Sequence, residues 1–194
     1  MNEHDIIRLV LKGSRQLFRM LVEKHQSMVF RTCMGFVHDK EEAEDLTQDV
    51  FVQAYQSLDG FREDSSFSTW IYRIAVNTSL NRVRKNARNP ILHRIDAFFA
   101  DVQDKALLYQ SPDTVDPETI LISKEHNKLI QNALDSLPEN QRTAIVLSKY
   151  DDLPQKEIAE IMKTTEGAVE ALIQRAKANL KIRLASSSKK QIRP

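Results

Sequence analysis

A single cysteine, Cys33, in 194 residues leaves no partner for an internal disulfide, and nothing near it has the spacing of a zinc site. Cys33 therefore reads as a small apolar residue destined for a core. Only four glycines are present, which argues for helices, and none of them forms a phosphate-cradling loop. No apolar run approaches the roughly 20 residues needed to cross a bilayer. The amino terminus, MNEHDIIRLVLKGSR, is too charged and has too short an apolar part for a signal peptide. A soluble, cytoplasmic chain is expected. His4, His25, His38, His93 and His126 are scattered, and no Ser/His/Asp set or paired histidine ligands stand at recognisable spacing. Unless the fold clusters them, the sequence reads as a non-enzyme with no catalytic residues, metal, cofactor or small-molecule substrate.

The formal net charge of +1 hides blocks of one sign. Glu41 to Asp64 is mostly acidic, Tyr72 to Ile95 has no acid at all, and Asp96 to Glu118 is acidic again. From Ala171 to Pro194 there are Arg175, Lys177, Lys181, Arg183, Lys189, Lys190 and Arg193 without a carboxylate. Two separated basic faces suit two contacts on one polyanion.

The first basic block contains FSTWIYRIAVNTSLNRVRK, residues 67–85, in which Arg73, Asn77, Asn81 and Lys85 recur every fourth residue. Residues four apart share a helix face, so the pattern predicts a polar stripe, with Ile71, Ile74, Ala75 and Thr78 turned inward. Asparagine can donate to and accept from a base edge, whereas Arg and Lys mainly neutralise phosphate. A solvated basic face on a core helix would look the same.

Around this stripe the chain divides into a helical front half, a loose middle and a helical back half. Leu17, Phe18, Leu21, Val22, Met28, Val29, Cys33 and Phe36 keep helical spacing. After His38, Asp39 and Glu42 resemble a capping box, followed by the stripe Ala43, Leu46, Val50, Ala54 and Leu58. Ser66 or Ser68 can cap the helix holding Trp70. Three amphipathic helices are thus expected in the front half. The segment 89–117 has no sustained period and carries Pro90, Pro112 and Pro117, which marks a flexible linker between separately folded units. Its apolar residues Ile91, Leu92, Phe98 and Phe99 are too many for an inert spacer. Behind it, Leu129, Ile130, Ala133, Leu134 and Leu137 suggest a helix, and Pro138 opens the next. In LPQKEIAEIMKTTEGAVEALIQRAKANL, a short helix ends near Met162, Lys163 and Thr164 turn, and Thr165 caps a longer helix. That is helix-turn-helix spacing, with Glu166, Glu170, Gln174, Arg175 and Lys177 facing outward. A hairpin used only for packing is the alternative.

AEDLTQDVFVQAYQSLDGF, then FSTWIYRIAVNTSLNRVRK, then a Pro-interrupted linker, then LPENQRTAIVLSKYDDLPQKEIAEIM and the helix after it, resemble the extracytoplasmic-function sigma factors of bacterial RNA polymerase. The resemblance runs from about Gln16 to Leu184. It implies an all-α protein of two small helical domains joined by a flexible linker, the second bearing the helix-turn-helix. The boundaries are 1–88 (region two), 89–117 (linker), 118–185 (region four) and 186–194 (basic tail).

The resemblance also implies the partners: core RNA polymerase, promoter DNA and an anti-sigma factor, which in relatives is commonly membrane-anchored. Asp45, Gln48 and Asp49 fall where relatives dock on the polymerase clamp helices, although helix solvation alone would account for such residues. Arg73, Asn77, Asn81, Arg84 and Lys85 fall on the reader of the minus-ten element, with Leu58 to Ser66 as the loop that captures a flipped base. Trp70 could stack there but follows Phe67 at core spacing. Glu170, Ala171, Gln174, Arg175, Lys177 and Lys181 fall on the minus-thirty-five reader. Here the chain departs from many relatives: a basic or hydroxyl residue is common where Glu170 and Ala171 stand, and glycine is frequent at Lys163. The acidic linker residues Asp101, Asp104, Asp113 and Asp116 could mimic phosphates inside the polymerase. A free-standing helix-turn-helix regulator is the competing reading, though the front half offers no evident dimerisation or ligand surface for one.

Overall fold

The computed structural model describes residues 2–62, 64–88 and 127–191, so the expectations placed on the linker lie outside the described residues. Those residues are built from helices. Four are in the front half: α1 (Glu3–Leu11), α2 (Phe18–Val37), α3 (Lys40–Gln56) and α4 (Phe67–Arg88). Four more follow: α5 (127–135), α6 (Glu139–Lys149), α7 (Gln155–Met162) and α8 (Glu166–Gln191).

Local chemistry sets most of the boundaries. His38 takes a left-handed conformation at φ 59° and ends α2. Asp39 then starts α3 by accepting from the Glu42 backbone N–H at 2.8 Å. The capping box is only half formed, because the Glu42 carboxylate instead accepts from Arg82 at 3.3 Å and Asn86 at 3.0 Å, tying α3 to α4. Ser66, rather than Ser68, caps α4 by accepting from the Thr69 N–H at 3.1 Å.

The front half has one helix more than the three expected. In α1, Asn2 caps the first turn at 2.8 Å, and Ile6, Ile7 and Val10 are buried. Nine residues are too few for a stable isolated helix, so α1 depends on tertiary support. Glu3 supplies some of it, reaching Lys24 at 2.8 Å and His25 at 2.7 Å on α2.

The front core is made by Leu21, Val29 and Cys33 of α2, Leu46, Val50 and Ala54 of α3, and Phe67, Ile71 and Ala75 of α4, all fully or nearly fully buried. Trp70 is half-buried, its ring 5.4 Å from Phe61 and 5.6 Å from Phe67. A second apolar cluster joins the halves. Phe36 of α2 and Tyr72 and Val76 of α4 pack among Val146, Leu147, Ile158, Val169 and Ile173 of the back half. Burying a large apolar side chain is worth about 1.5–3 kcal/mol, so these contacts, rather than exposed ion pairs, supply most of the adhesion.

The approach is close. A Cβ on Gly35 would stand 2.7 Å from Val146 Cγ1 and 3.3 Å from Tyr150 Cγ, so α6 rests directly on the α2 backbone. Gly35→Ala is expected to weaken the docking of the halves by about 1–3 kcal/mol through overpacking. Small-angle scattering should show a larger radius of gyration, with helix content by circular dichroism unchanged.

Candidate nucleic-acid and polymerase interfaces

The α4 stripe forms as its spacing predicts. Ile71, Ala75 and Thr78 are buried, Ile74 is partly buried, and Asn77, Asn81, Arg84 and Lys85 are exposed. Thr78 is a polar group on the inward face, its hydroxyl donating to Gln53 Oε1 at 3.2 Å. Arg73, the first residue of the stripe, is half-buried.

The back half lies against part of this stripe, which the sequence reading did not anticipate. Arg73 Nη2 donates to the Glu160 carbonyl at 2.8 Å near the carboxyl end of α7, a carbonyl that also accepts from the Lys163 N–H at 3.2 Å. Arg84 binds Glu139 in the first turn of α6, with Nε donating at 2.6 Å, and also bonds Asn81 Oδ1 at 3.1 Å. Each group shifts the other toward its charged form: the Arg84 bond holds the Glu139 carboxyl below its usual range, and the Arg84 guanidinium is raised by Glu139. Between α4, α6 and α7 lies a half-open cavity of about 310 Å³, lined by Arg73, Asn77, Leu80, Asn140, Met162 and Lys163 among others. Among the described residues, Asn77, Asn81 and Lys85 make no hydrogen bond across the seam, the bond of Asn81 being to Arg84 on the same helix.

Arg142 of α6 reinforces the seam from within. It is 3% exposed, donates through Nη2 to the Phe36 carbonyl and to Asp135, and lies over the Phe36 ring. Burial pushes the Asp135 carboxyl up, but His38 and Arg142 together outweigh it and hold the group below its usual range.

On α3, Asp45, Gln48 and Asp49 are exposed along one side, although Asp49 stands 3.6 Å from Arg82. Two neighbours escaped the sequence reading. Val52 is 54% and Tyr55 38% exposed on the same helix, so the acidic face continues into an apolar one. The available signal was their place seven and ten residues after Asp45, on the face opposite the buried Leu46 and Val50. The Leu58–Gly60 part of the expected capture loop is a short 3-10 turn.

In the back half, α7 and α8 form the helix-turn-helix. Lys163 sits at φ 53°, and Thr165 Oγ1 accepts from the Ala168 N–H at 3.2 Å to cap α8. Glu170, Gln174, Arg175, Lys177 and Lys181 are exposed and Ala171 is half-exposed, while Val169, Ile173 and Ala176 face the core. Helix α8 continues to Gln191, through residue 185 and into the basic tail.

Two family models match these two halves. Sigma-70 region 2 matches residues 21–89 and sigma-70 region 4 matches residues 127–180. The RNA polymerase sigma-H factor of Pseudomonas aeruginosa is 34% identical over 177 residues, covering 90% of each chain. The ECF RNA polymerase sigma-E factor of Escherichia coli K12 is also 34% identical over 177 residues, covering 91% of each. Among solved structures, CnrH in complex with the cytosolic domain of CnrY has the same fold, with a TM-score of 0.62 at 23% identity, covering 93% of this chain and 96% of that one. The Bartonella quintana sigma factor RpoE, in complex with the anti-sigma factor NepR, gives a TM-score of 0.55 at 20% identity, covering 87% and 96%.

The fold and its two matched regions define a sigma factor of the sigma-70 class. Within it, the chain belongs to the extracytoplasmic-function sigma factors of bacterial RNA polymerase. Membership removes the free-standing regulator as a competing reading.

Lys163 is left-handed, so its side chain carries a steric cost that glycine would avoid. Lys163→Gly is expected to raise stability by about 0.5–1 kcal/mol, the relief of strain being partly offset by the freer unfolded chain. Urea denaturation with an unchanged m-value would show it.

Proposed function

We propose that α4 reads the minus-ten element, with Asn77 as the base reader and Arg73, Asn81, Arg84 and Lys85 as its flanking contacts. The carrying observation is the exposed Asn77 amide in the middle of a stripe free of acids, on the half that matches region 2. The loop from Leu58 to Ser66 takes the flipped base. Flipping costs a few kcal/mol of unstacking, which polymerase binding and single-strand contacts offset. The half-buried ring of Trp70 supports a packing role over a stacking one.

Helix α8 is the reader of the minus-thirty-five element, through Glu170, Ala171, Gln174, Arg175, Lys177 and Lys181. Glu170 would repel phosphate, so it suits a position where it accepts from a cytosine amino group. Residues 1–88 and 118–185 act as the two promoter-binding domains, and 89–117 as the linker between them.

Asp45, Gln48 and Asp49 make the polymerase contact, now extended by Val52 and Tyr55. A charged rim beside exposed apolar side chains is the usual composition of a protein interface. An anti-sigma factor is a further partner, consistent with the anti-sigma complex in which the Bartonella quintana relative was solved. The chain works in the cytoplasm, where polymerase does. No helix among the described residues is long and apolar enough to cross a membrane. As a DNA-binding initiation factor it carries no catalysis of its own, promoter melting being driven by binding.

Asn77→Ala is expected to lose about 1–3 kcal/mol of base discrimination at one minus-ten position while core polymerase binding persists. In vitro transcription from a promoter library measures both, and an unchanged base preference would refute the assignment.

For the polymerase contact, Asp45→Lys combined with Val52→Glu is the cleaner test, because Asp49 also neutralises Arg82 within the fold. The folded double variant is expected to co-purify poorly with core polymerase. Full co-purification would place the contact elsewhere.

A further inference from the structure

The seam between the halves contains a carboxyl group with too few donors to be comfortable as an anion. Asp151, in the loop between α6 and α7, has a side chain with no exposed surface. Its Oδ2 lies 2.9 Å from Thr32 Oγ1 on α2. The same Thr32 oxygen lies 3.1 Å from the Met28 carbonyl. A threonine hydroxyl has one proton, so it cannot donate to both. If Asp151 carries a proton, every contact is satisfied: Asp151 donates to Thr32, and Thr32 donates to Met28. If Asp151 is ionised, it takes the threonine proton and Met28 loses it.

Asp151 Oδ1 has no hydrogen-bond partner among the described residues, and such an orphan is far cheaper on a neutral acid than on a carboxylate. Arg31 of α2, 53% exposed, is the cation facing it, with Nε 3.7 Å away and beyond hydrogen-bonding range. The other facing groups do not compensate. Asp152 on the same loop adds like charge, and Tyr72 of α4 and Cys33 of α2 are groups whose own ionisation burial suppresses. Burial, with Asp152 assisting and Thr32 and Arg31 opposing, raises the Asp151 carboxyl to about 6.

We propose that Asp151, as a neutral acid donating to Thr32, latches the two halves together, and that the latched chain withholds Arg73 and Arg84 of α4 from DNA. The second clause rests on the minus-ten reading above, since Arg73 and Arg84 are the stripe residues bonded across the seam. In the open chain Asp151 is an ordinary carboxyl. A group whose pKa is higher in the closed form favours closing most at low pH, and that advantage is lost as pH rises through about 6. The closing constant should fall about tenfold between pH 5 and pH 7.5.

The full chain, labelled with carbon-13, is titrated by NMR at the Asp151 carboxyl carbon, and opening is followed by small-angle scattering at pH 5 and 7.5. A midpoint near 6 is expected, and a midpoint in the ordinary carboxylate range overturns the latch. Asp151→Asn keeps a donor without the charge, so its opening should lose the share of the pH response that Asp151 supplies, leaving only what the His38–Asp135 pair across the seam contributes. Thr32→Val removes the acceptor and should open the chain at both pH values, with circular dichroism confirming that both variants are folded. A wild-type pH response in Asp151→Asn overturns the proposal. The affinity for a single-stranded oligonucleotide carrying the selected minus-ten element should fall up to tenfold from pH 7.5 to pH 5 in the wild type and change much less in Asp151→Asn. A chain that opens with pH while its affinity for that oligonucleotide does not change would keep the latch and overturn the withholding of Arg73 and Arg84.

Discussion

The docking of α6 and α7 onto α2 and α4 is the contact on which the rest of the arrangement depends. It requires α2 and α4 to be apolar on two sides. One side of each builds the front core through Cys33, Ile71 and Ala75, and another joins the back half through Phe36, Tyr72 and Val76. A helix can do this only if its backbone can be approached closely, and Gly35 provides that opening for Val146. Apolar burial supplies the adhesion, while Arg142 adds a buried polar tie through its bonds to the Phe36 carbonyl and Asp135.

One consequence is competition for α4. Its polar stripe faces nucleic acid in the proposed working state and the back half in the closed chain. Arg73 and Arg84 are suited to both, because a guanidinium that suits a phosphate also suits a helix-end carbonyl or a glutamate. Asn77 makes no such bond, so the proposed base reader is left free by the closed form although Arg73 and Arg84 are engaged. The two faces of α3 show a similar economy: Glu42 and Asp49 tie the helix to α4 through Arg82, leaving Asp45, Gln48, Val52 and Tyr55 toward solvent.

Much of this was legible in the chain itself. The inward and outward residues of α4 follow from fourfold spacing, and the caps at Asp39, Ser66 and Thr165 are local bonds between residues three apart. The helix-turn-helix was legible for the same reason, and the order of its motifs identified the family. By contrast, α1 was missed: Ile6, Ile7 and Val10 share one face, but nine residues are too short to hold a helix without burial against α2. Val52 and Tyr55 were missed because exposure of an apolar side chain is a property of what does not pack on it, which no periodicity states.

The helices other than α1, their caps, the acid-free stripe and the sigma-factor kinship were therefore determined by sequence, since all rest on interactions within a few residues or on motif order. The placement of the back half over α4, the burial of Asp151 beside Thr32, and the commitment of Arg73 and Arg84 were decided only in the tertiary structure. Those contacts join residues 55 to 119 positions apart, and their energies come from desolvation and shape, which depend on neighbours that local sequence does not name.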